Sequence, residues 1–539
     1  MFSQNRLNDL ALHADASAMN NADLVEATPD GLVKVFLKDD VDLFRLECVE
    51  IDGVLDGYLV HDLAALERGL KPATTCGTQH GIRPVVAGFS PRSSVGTVYN
   101  RQTMKFYMRT YGCQMNVADS NEMGRHLKAK GLVETENPDE ASVFLVNTCT
   151  VRQHAEDRAF SEIGRLRRWK ARGPGRKVVV TGCAAERTKE YLEDRFPFLD
   201  LVVGAKSIED FGRIAEGLLD RRETDEDLDY VVPAVDHKLA AFVTIMRGCN
   251  YSCTYCIVPS VRGREIYHSV EQILSDTRAR AAEGAREIML LGQTVNSYRY
   301  GTARFADLLK AVAEVEDVKR IRFMSPHPYF MSDRVIETMA AVPEVCESLH
   351  LPVQSGSNTI LKQMMRNYTR EQYVSIIEKL REVMPDATLS TDIIVGFPGE
   401  TDRDFRETLT LIEETQFDWG FIFKYSPREG TPAASLESLP QELVEERHQE
   451  CLALIDRFAQ EKRSKMVGTM QDVLVEADNI GRTRTNYRVY ITGNVAPGEE
   501  VRVRITNAQR ATLEGVIEDG NIDYQNFREE DKSACANRR

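Results

Sequence analysis

Residues 247–265 read RGCNYSCTYCIVPSVRGRE, with cysteines at 249, 253 and 256. Three thiolates on one short loop can hold three irons of a cubane cluster and leave the fourth iron without a cysteine. An open metal position is what a catalytic site needs, by the logic of open catalytic zinc sites. A structural zinc site would close with four ligands, usually in pairs, and no second CxxC or HxxxH lies nearby. The loop also orients the fold. It ends the first of six apolar strand candidates between about 240 and 430: AFVTIMRGC, REIMLLGQTV, RIRFMSP, ESLHLPVQS, ATLSTDIIVGFPG and WGFIFKYSP. Helical segments separate them, so an α/β architecture is expected, a partial or complete (β/α) barrel with its chemistry at the C-terminal ends of the strands. Gly292-Gln293, Gln354-Ser355-Gly356 and Gly396-Phe397-Pro398-Gly399 gather at those ends.

Upstream, KFYMRTYGC, ASVFLVNTC and KVVVTGC are strands that finish at Cys113, Cys149 and Cys183, with helices between them. The alternation predicts a doubly wound parallel sheet. The C-terminal ends of parallel strands share one edge, so these three thiols can meet there and hold a second cluster. Three buried structural cysteines is the competing interpretation, and spacing does not separate the two. Downstream, a charged helix over about 441–465 leads to MQDVLVEAD, RTNYRVYITG and EEVRVRITNAQRATLEGVIED, which predict a small all-β barrel. The expected domains are 1–103 (an extension ending in a Gly/Pro/Ser-rich linker), 104–222, 235–464, 465–519 and a polar tail, 520–539. Within the extension, VKVFLKDDVDLFRLECVEIDGVLDGYLV alternates and can form a small sheet.

The chain of 539 residues is too long for one core and carries a net charge of −15. That balance argues against a bulk nucleic-acid binder and leaves room for a local basic surface. No apolar run of about 18 residues reads as a transmembrane span, and the first thirty residues lack the apolar block of a signal peptide. A cytoplasmic location is expected, where disulfides are disfavoured and the eleven cysteines turn toward metal or catalytic roles. Cys48, Cys76, Cys346, Cys451 and Cys535 stand outside any ligand pattern and are expected to be plain buried or free thiols.

RGCNYSCTYCIVPSVRGRE resembles the radical S-adenosylmethionine (SAM) superfamily. The resemblance implies that the open iron binds the methionine end of SAM and that an electron from the cluster cleaves it to a 5′-deoxyadenosyl radical. RTYGCQMNVADSN, NTCTVRQHAEDR, TGCAAER, LLGQTVNSY, HLPVQSGSNTILKQMMRNYTREQY, STDIIVGFPGET and FKYSPREGTPAA resemble the methylthiotransferases over about 104–519. That likeness implies a radical-SAM partial barrel and a C-terminal TRAM-type RNA-binding barrel. It implies two 4Fe–4S clusters, with Cys249, Cys253 and Cys256 holding the radical-generating one. Cys113, Cys149 and Cys183 would hold the sulfur-delivering one.

At the glycine-rich strand ends Gly396 allows close backbone approach and Gln293, Gln354 and Ser355 offer hydrogen bonds, so they are expected to seat SAM; the likeness implies that Thr391, Asp392 and Glu400 flank its adenosine. The implied partners are tRNA, an electron donor such as flavodoxin or ferredoxin, and a sulfur donor, with no membrane and a monomeric chain. YGCQMN and the final barrel favour the C2 carbon of N6-dimethylallyladenosine beside the tRNA anticodon. A threonylcarbamoyl-adenosine in tRNA or a ribosomal-protein aspartate is the rival substrate. A non-catalytic iron–sulfur protein that binds RNA or senses redox state is the rival class. The arginines of the final barrel, Arg482, Arg484, Arg488, Arg502, Arg504 and Arg510, oppose the global charge and are expected to meet RNA, with Tyr487 and Tyr490 stacking on bases. One departure stands out: Glu265 is followed by Ile266, Tyr267 and His268, where the family usually has Ser-Arg.

Overall fold

The computed structural model describes residues 104–217 and 239–518, together with three strands near the N-terminus. The chain divides into two compact units, Met1–Val98 and Tyr99–Arg539. In the first, Ala22–Ala27, Leu32–Leu37 and Cys48–Glu50 form an antiparallel sheet in sequence order. The expected linkers before Met104 and around 222–235, the tail, and the side chains of Cys48, Cys76 and Cys535 lie outside the described residues.

The second unit begins with a five-stranded parallel sheet. Its spatial order is Val133–Glu134, Lys105–Thr110, Val143–Thr148, Lys177–Gly182, Leu201–Gly204. The central strand VFLVNT is buried at every position, as a strand covered on both faces must be. Its side chains alternate between two cores. Leu145 packs with Met123 and Leu127 of helix Gln114–Ala129. Phe144 and Val146 pack with Ile163, Leu166 and Trp169 of helix Gln153–Ala171. The order reverses between the strands that end before Cys113 and Cys149. In such sheets that reversal opens a crevice at the carboxyl edge.

The six central strands all form. Arg320–Phe323, Glu287–Leu291 and Ala240–Thr244 make one parallel sheet; Ser348–His350, Thr388–Val395 and Trp419–Lys424 make another. A single bridge, Ile321 to Val345, joins them, giving a partial barrel. The first strand stops at Thr244, short of the expected span. Met246–Arg247 instead pairs antiparallel with Ile266–Tyr267, so the departing Ile266-Tyr267 segment clips the cysteine loop at its base. Helix Gln441–Lys465 packs Val444, Ile455 and Phe458 into the same core. Five strands from Met470 to Ile517 close a barrel of their own.

Candidate active site

Each cysteine of the N-terminal domain sits at a turn from strand to helix. Cys113 stands at the N-cap of helix Gln114–Ala129. Cys183 opens the short helix Cys183–Arg187. Gly182 before it has φ +100°, and a Cβ there would meet the Thr148 carbonyl at 2.3 Å, so only glycine permits this turn. The sheet brings the three thiols together: Cys149 feels the charge of Cys113, and Cys183 that of both. Burial raises the Cys149 thiol and pushes Cys183 up to about 12. Such thiols need a cation to ionise.

The barrel loop repeats the pattern. Gly248 has φ +76°, and a Cβ there would meet the Arg264 carbonyl at 2.1 Å, which turns the chain into Cys249. Burial raises the Cys249 thiol and pushes Cys256 up to about 12, each also feeling Cys253. Thr294 Oγ1 lies 3.7 Å from Cys249 Sγ. Arg366 donates to Cys253 Sγ at 3.5 Å from a half-buried position beside Tyr368. Among the described residues no Cys, His, Asp and Glu group is arranged for a single metal ion. A cubane spaces its thiolates more widely than one ion does, and two convergent sets of three unpaired thiols fit that donor chemistry.

The two sets are neighbours. Cys183 packs against Ile257 and Val261, which follow Cys256. Across the same boundary, buried Asp119 accepts from Arg247 at 2.6 Å and from Arg262 at 2.8 Å. Arg247 precedes the cysteine loop, and Arg262 ends the helix Val258–Arg262 that follows it. Burial opposes the charge on Asp119, yet the two guanidinium groups hold its carboxyl below the ordinary range. Arg262 also feels the charge of Cys183 and Cys113. From the other side Arg428 donates to the Val151 carbonyl at 3.0 Å and to Gln153 at 2.6 Å, holding the chain just after Cys149.

The residues expected to seat SAM divide. Gln293 Oε1 is buried without a partner, an acceptor free for a ligand. Gln354 takes a positive φ of 71° at the strand edge, and Asp392 lies 3.5 Å from His350. Ser355, Thr391 and Glu400 are occupied internally. Ser355 accepts from the Ser357 amide, Thr391 from the Val353 amide, and Glu400 from Arg447 at 2.7 Å. Gly396 makes room for Val444: a Cβ there would meet it at 2.5 Å. These four frame the strand ends from behind. Sequence reasoning did not single out Arg366, or His327, which stacks on Tyr251 at 5.1 Å and is held neutral by burial and by Arg366, its pKa lowered to about 2.

The C-terminal barrel corrects two expectations. Tyr487 is buried and donates to Asp418 at 2.7 Å, so it cannot stack on a base. Arg484 docks the barrel onto the central domain through Glu347 at 2.8 Å and the Pro343 and Val345 carbonyls. Buried Arg320 and Arg322 complete that joint, donating to the Arg482, Asp472, Thr483 and Arg484 carbonyls. Arg482 pairs with Glu476, Arg502 with Asp472, Arg504 with Glu518 and Arg510 with Asp456. Tyr490 is exposed with Arg488 over its ring.

Residues 243–412 match the Radical SAM superfamily, 105–204 the uncharacterized protein family UPF0004, and 464–517 the TRAM domain. The class is therefore that of radical SAM enzymes, which use SAM and a 4Fe–4S cluster. The tRNA-2-methylthio-N(6)-dimethylallyladenosine synthase of Endomicrobium trichonymphae is 41% identical over 77% of this chain and 100% of its own. That of Sulfurihydrogenibium sp. is 42% identical over 77% of this chain and 99% of its own. That of Caldicellulosiruptor saccharolyticus is 41% identical over 78% and 93%. The chain belongs to this family of tRNA methylthiotransferases.

Proposed function

We propose that this protein adds a methylthio group to the C2 carbon of N6-dimethylallyladenosine next to the anticodon of tRNA. Cys249, Cys253 and Cys256 hold one 4Fe–4S cluster, and Cys113, Cys149 and Cys183 a second. When bound, the clusters and SAM supply the hydrogen abstraction that an unactivated aromatic C–H requires, together with the sulfur and the methyl group. The chain's own work is positional. Gln293 offers a free acceptor at one strand end, and Gln354 and Asp392 offer polar groups on the other sheet for SAM. Arg366, half-buried against Cys253, balances thiolate charge. The observation that carries this reading is the packing of Cys183 on Ile257, immediately after Cys256, locked by Asp119 between Arg247 and Arg262. That joint supports the reading, because a radical-generating loop and a sulfur-bearing edge must keep a fixed separation for the reaction.

An electron donor such as flavodoxin or ferredoxin and a separate sulfur donor complete the cycle. The chain acts as a monomer in the cytoplasm; among the described residues no helix is long and apolar enough to cross a membrane. Mass spectrometry of tRNA nucleosides from a strain lacking the protein tests the assignment. N6-dimethylallyladenosine should accumulate and its 2-methylthio form vanish. Unchanged nucleosides would refute it.

A further inference from the structure

The barrel that the family supplies for RNA docks far from the cysteines. Arg320 and Thr388, whose contacts hold it, are the first residues of their strands, and Asp418 immediately precedes Trp419. The barrel thus sits at the N-terminal edge of the parallel strands, and the cysteine loop at the C-terminal edge. Strand Thr388–Val395 has eight residues, so the two edges lie roughly 26 Å apart. An adenosine presented to the cysteines needs a hold on the same tRNA nearer that edge.

Helix Gln153–Ala171 offers one. Residues 152–177 contain nine Lys or Arg against three Asp or Glu, in a protein of net charge −15. His154, Arg158, Ser161, Arg165, Arg168 and Arg172 recur at helical spacing on one exposed stripe, from the helix's first turn to the residue after its end. The stripe runs away from the Cys149 edge for about 27 Å at 1.5 Å per residue. Near the cysteines, Arg158 lies over the ring of Tyr111, 5.6 Å from its centroid, two residues before Cys113. Arg109, Tyr111, His154, Arg158 and Arg165 line an open cavity of about 430 Å³ with Asp157 and Glu162.

Among the described residues Arg158 and Arg168 have no ion pair. Arg165 pairs with Glu162 at 3.4 Å and Arg172 with Asp139 at 3.2 Å, both arginines more than half exposed. Such surface pairs contribute little and yield readily to a phosphate. Of the remaining bases Lys170 and Lys177 meet Asp200 and Arg176 covers Trp169, while Arg152 and Arg167 are exposed beside the stripe.

We infer that this arginine stripe is a second tRNA-binding surface, tracking the phosphate backbone of the anticodon arm and leading it to the cysteine edge. The inference rests on the tRNA assignment above. The phosphate spacing of RNA suits a row of point charges repeating every one to two helical turns, and guanidinium groups bind phosphate bidentately.

The test compares wild type with R158Q/R165Q/R168Q in the full chain with clusters reconstituted, binding a tRNA transcript across a potassium chloride series. Equal melting temperature and iron content certify the fold; should the triple variant fail there, the three single variants replace it. The triple variant should bind at least about tenfold more weakly at low salt, and its slope of log affinity against log salt should be shallower by about two to three, or about one per single variant. If wild type binds tRNA and the variants keep its affinity and slope, the stripe is not an RNA surface while the tRNA assignment stands. If wild type itself binds no tRNA, the assignment falls and the inference with it. Loss of thiolation in cells with tRNA binding intact would give the stripe to a protein partner and overturn the inference.

Discussion

Cys249, Cys253 and Cys256 reach their positions within eight residues of chain, whereas Cys113, Cys149 and Cys183 come from the ends of three strands. The first set needs two glycines at positive φ, Gly248 and Gly263, and a two-residue strand pairing to fold its loop. The second needs a whole doubly wound sheet, with two cores and a correct strand order, before its thiols share an edge. Local sequence can build a metal loop cheaply; a dispersed site inherits the stability and rigidity of its domain. The buried Asp119–Arg247–Arg262 cluster ties the two designs together.

The sharpest way to break this contrast is to remove one thiol from each set. Cys253→Ala should reduce SAM cleavage to background. Cys149→Ala should retain cleavage while abolishing tRNA thiolation, both followed by product analysis under anaerobic conditions. Equal loss of cleavage in both variants would erase the division of labour. Wild-type iron and sulfide near eight of each per chain, rather than four, is the companion measurement.

Asp119→Ala probes the joint between the sets. It leaves Arg247 and Arg262 buried without their shared carboxylate, and should destabilise the folded chain by about 3–5 kcal/mol, read as a lower denaturation midpoint. Because the Asp119 carboxyl is depressed in the folded state, its contribution is complete above about pH 4 and is lost only as pH falls further. Wild type and variant should therefore converge in stability only under acid; a constant gap down to pH 2 would contradict the ion-pair origin.

Arg484→Ala addresses the barrel, the region whose charges were expected to serve RNA. It should loosen docking by about 1–3 kcal/mol, seen as faster hydrogen exchange in strand Arg488–Thr492. Its effect on the salt dependence of tRNA binding should be small, since that guanidinium faces Glu347. A full unit of lost salt slope would return Arg484 to the RNA surface. The smallest effect belongs to residues 1–103: a chain starting at Met104 should keep both clusters and thiolate tRNA at a near-normal rate. A folded, cluster-loaded chain that cannot modify tRNA would show the extension to be functional.

Much of the architecture was legible because its signals are local. The six apolar runs, the helix over 441–465 and the closing all-β segment each carry their own periodicity, and each forms, the first strand alone ending early. The first barrel strand was drawn too long because its apolar run continues to Met246 while the chain turns away at Ile245 to meet Ile266-Tyr267. The free cysteines Cys346 and Cys451 are buried, as solitary thiols usually are.

What the sequence by itself determined is therefore the three-cysteine loop and the strands that lead to Cys113, Cys149 and Cys183. All of these depend on spacing within one element. What only the tertiary structure decided is which charges are spoken for. Arg484 and Tyr487 look like RNA contacts in a basic strand, yet Glu347 and Asp418 claim them from far along the chain. Arg158 and Arg168 look like solvated helix, and among the described residues the fold gives neither an ion pair, with Arg158 set over Tyr111 two residues before Cys113. The physical reason is that a charge is defined by its partner, and a partner more than a hundred residues away, as Arg247 and Arg262 are from Asp119, exists only once the chain has folded.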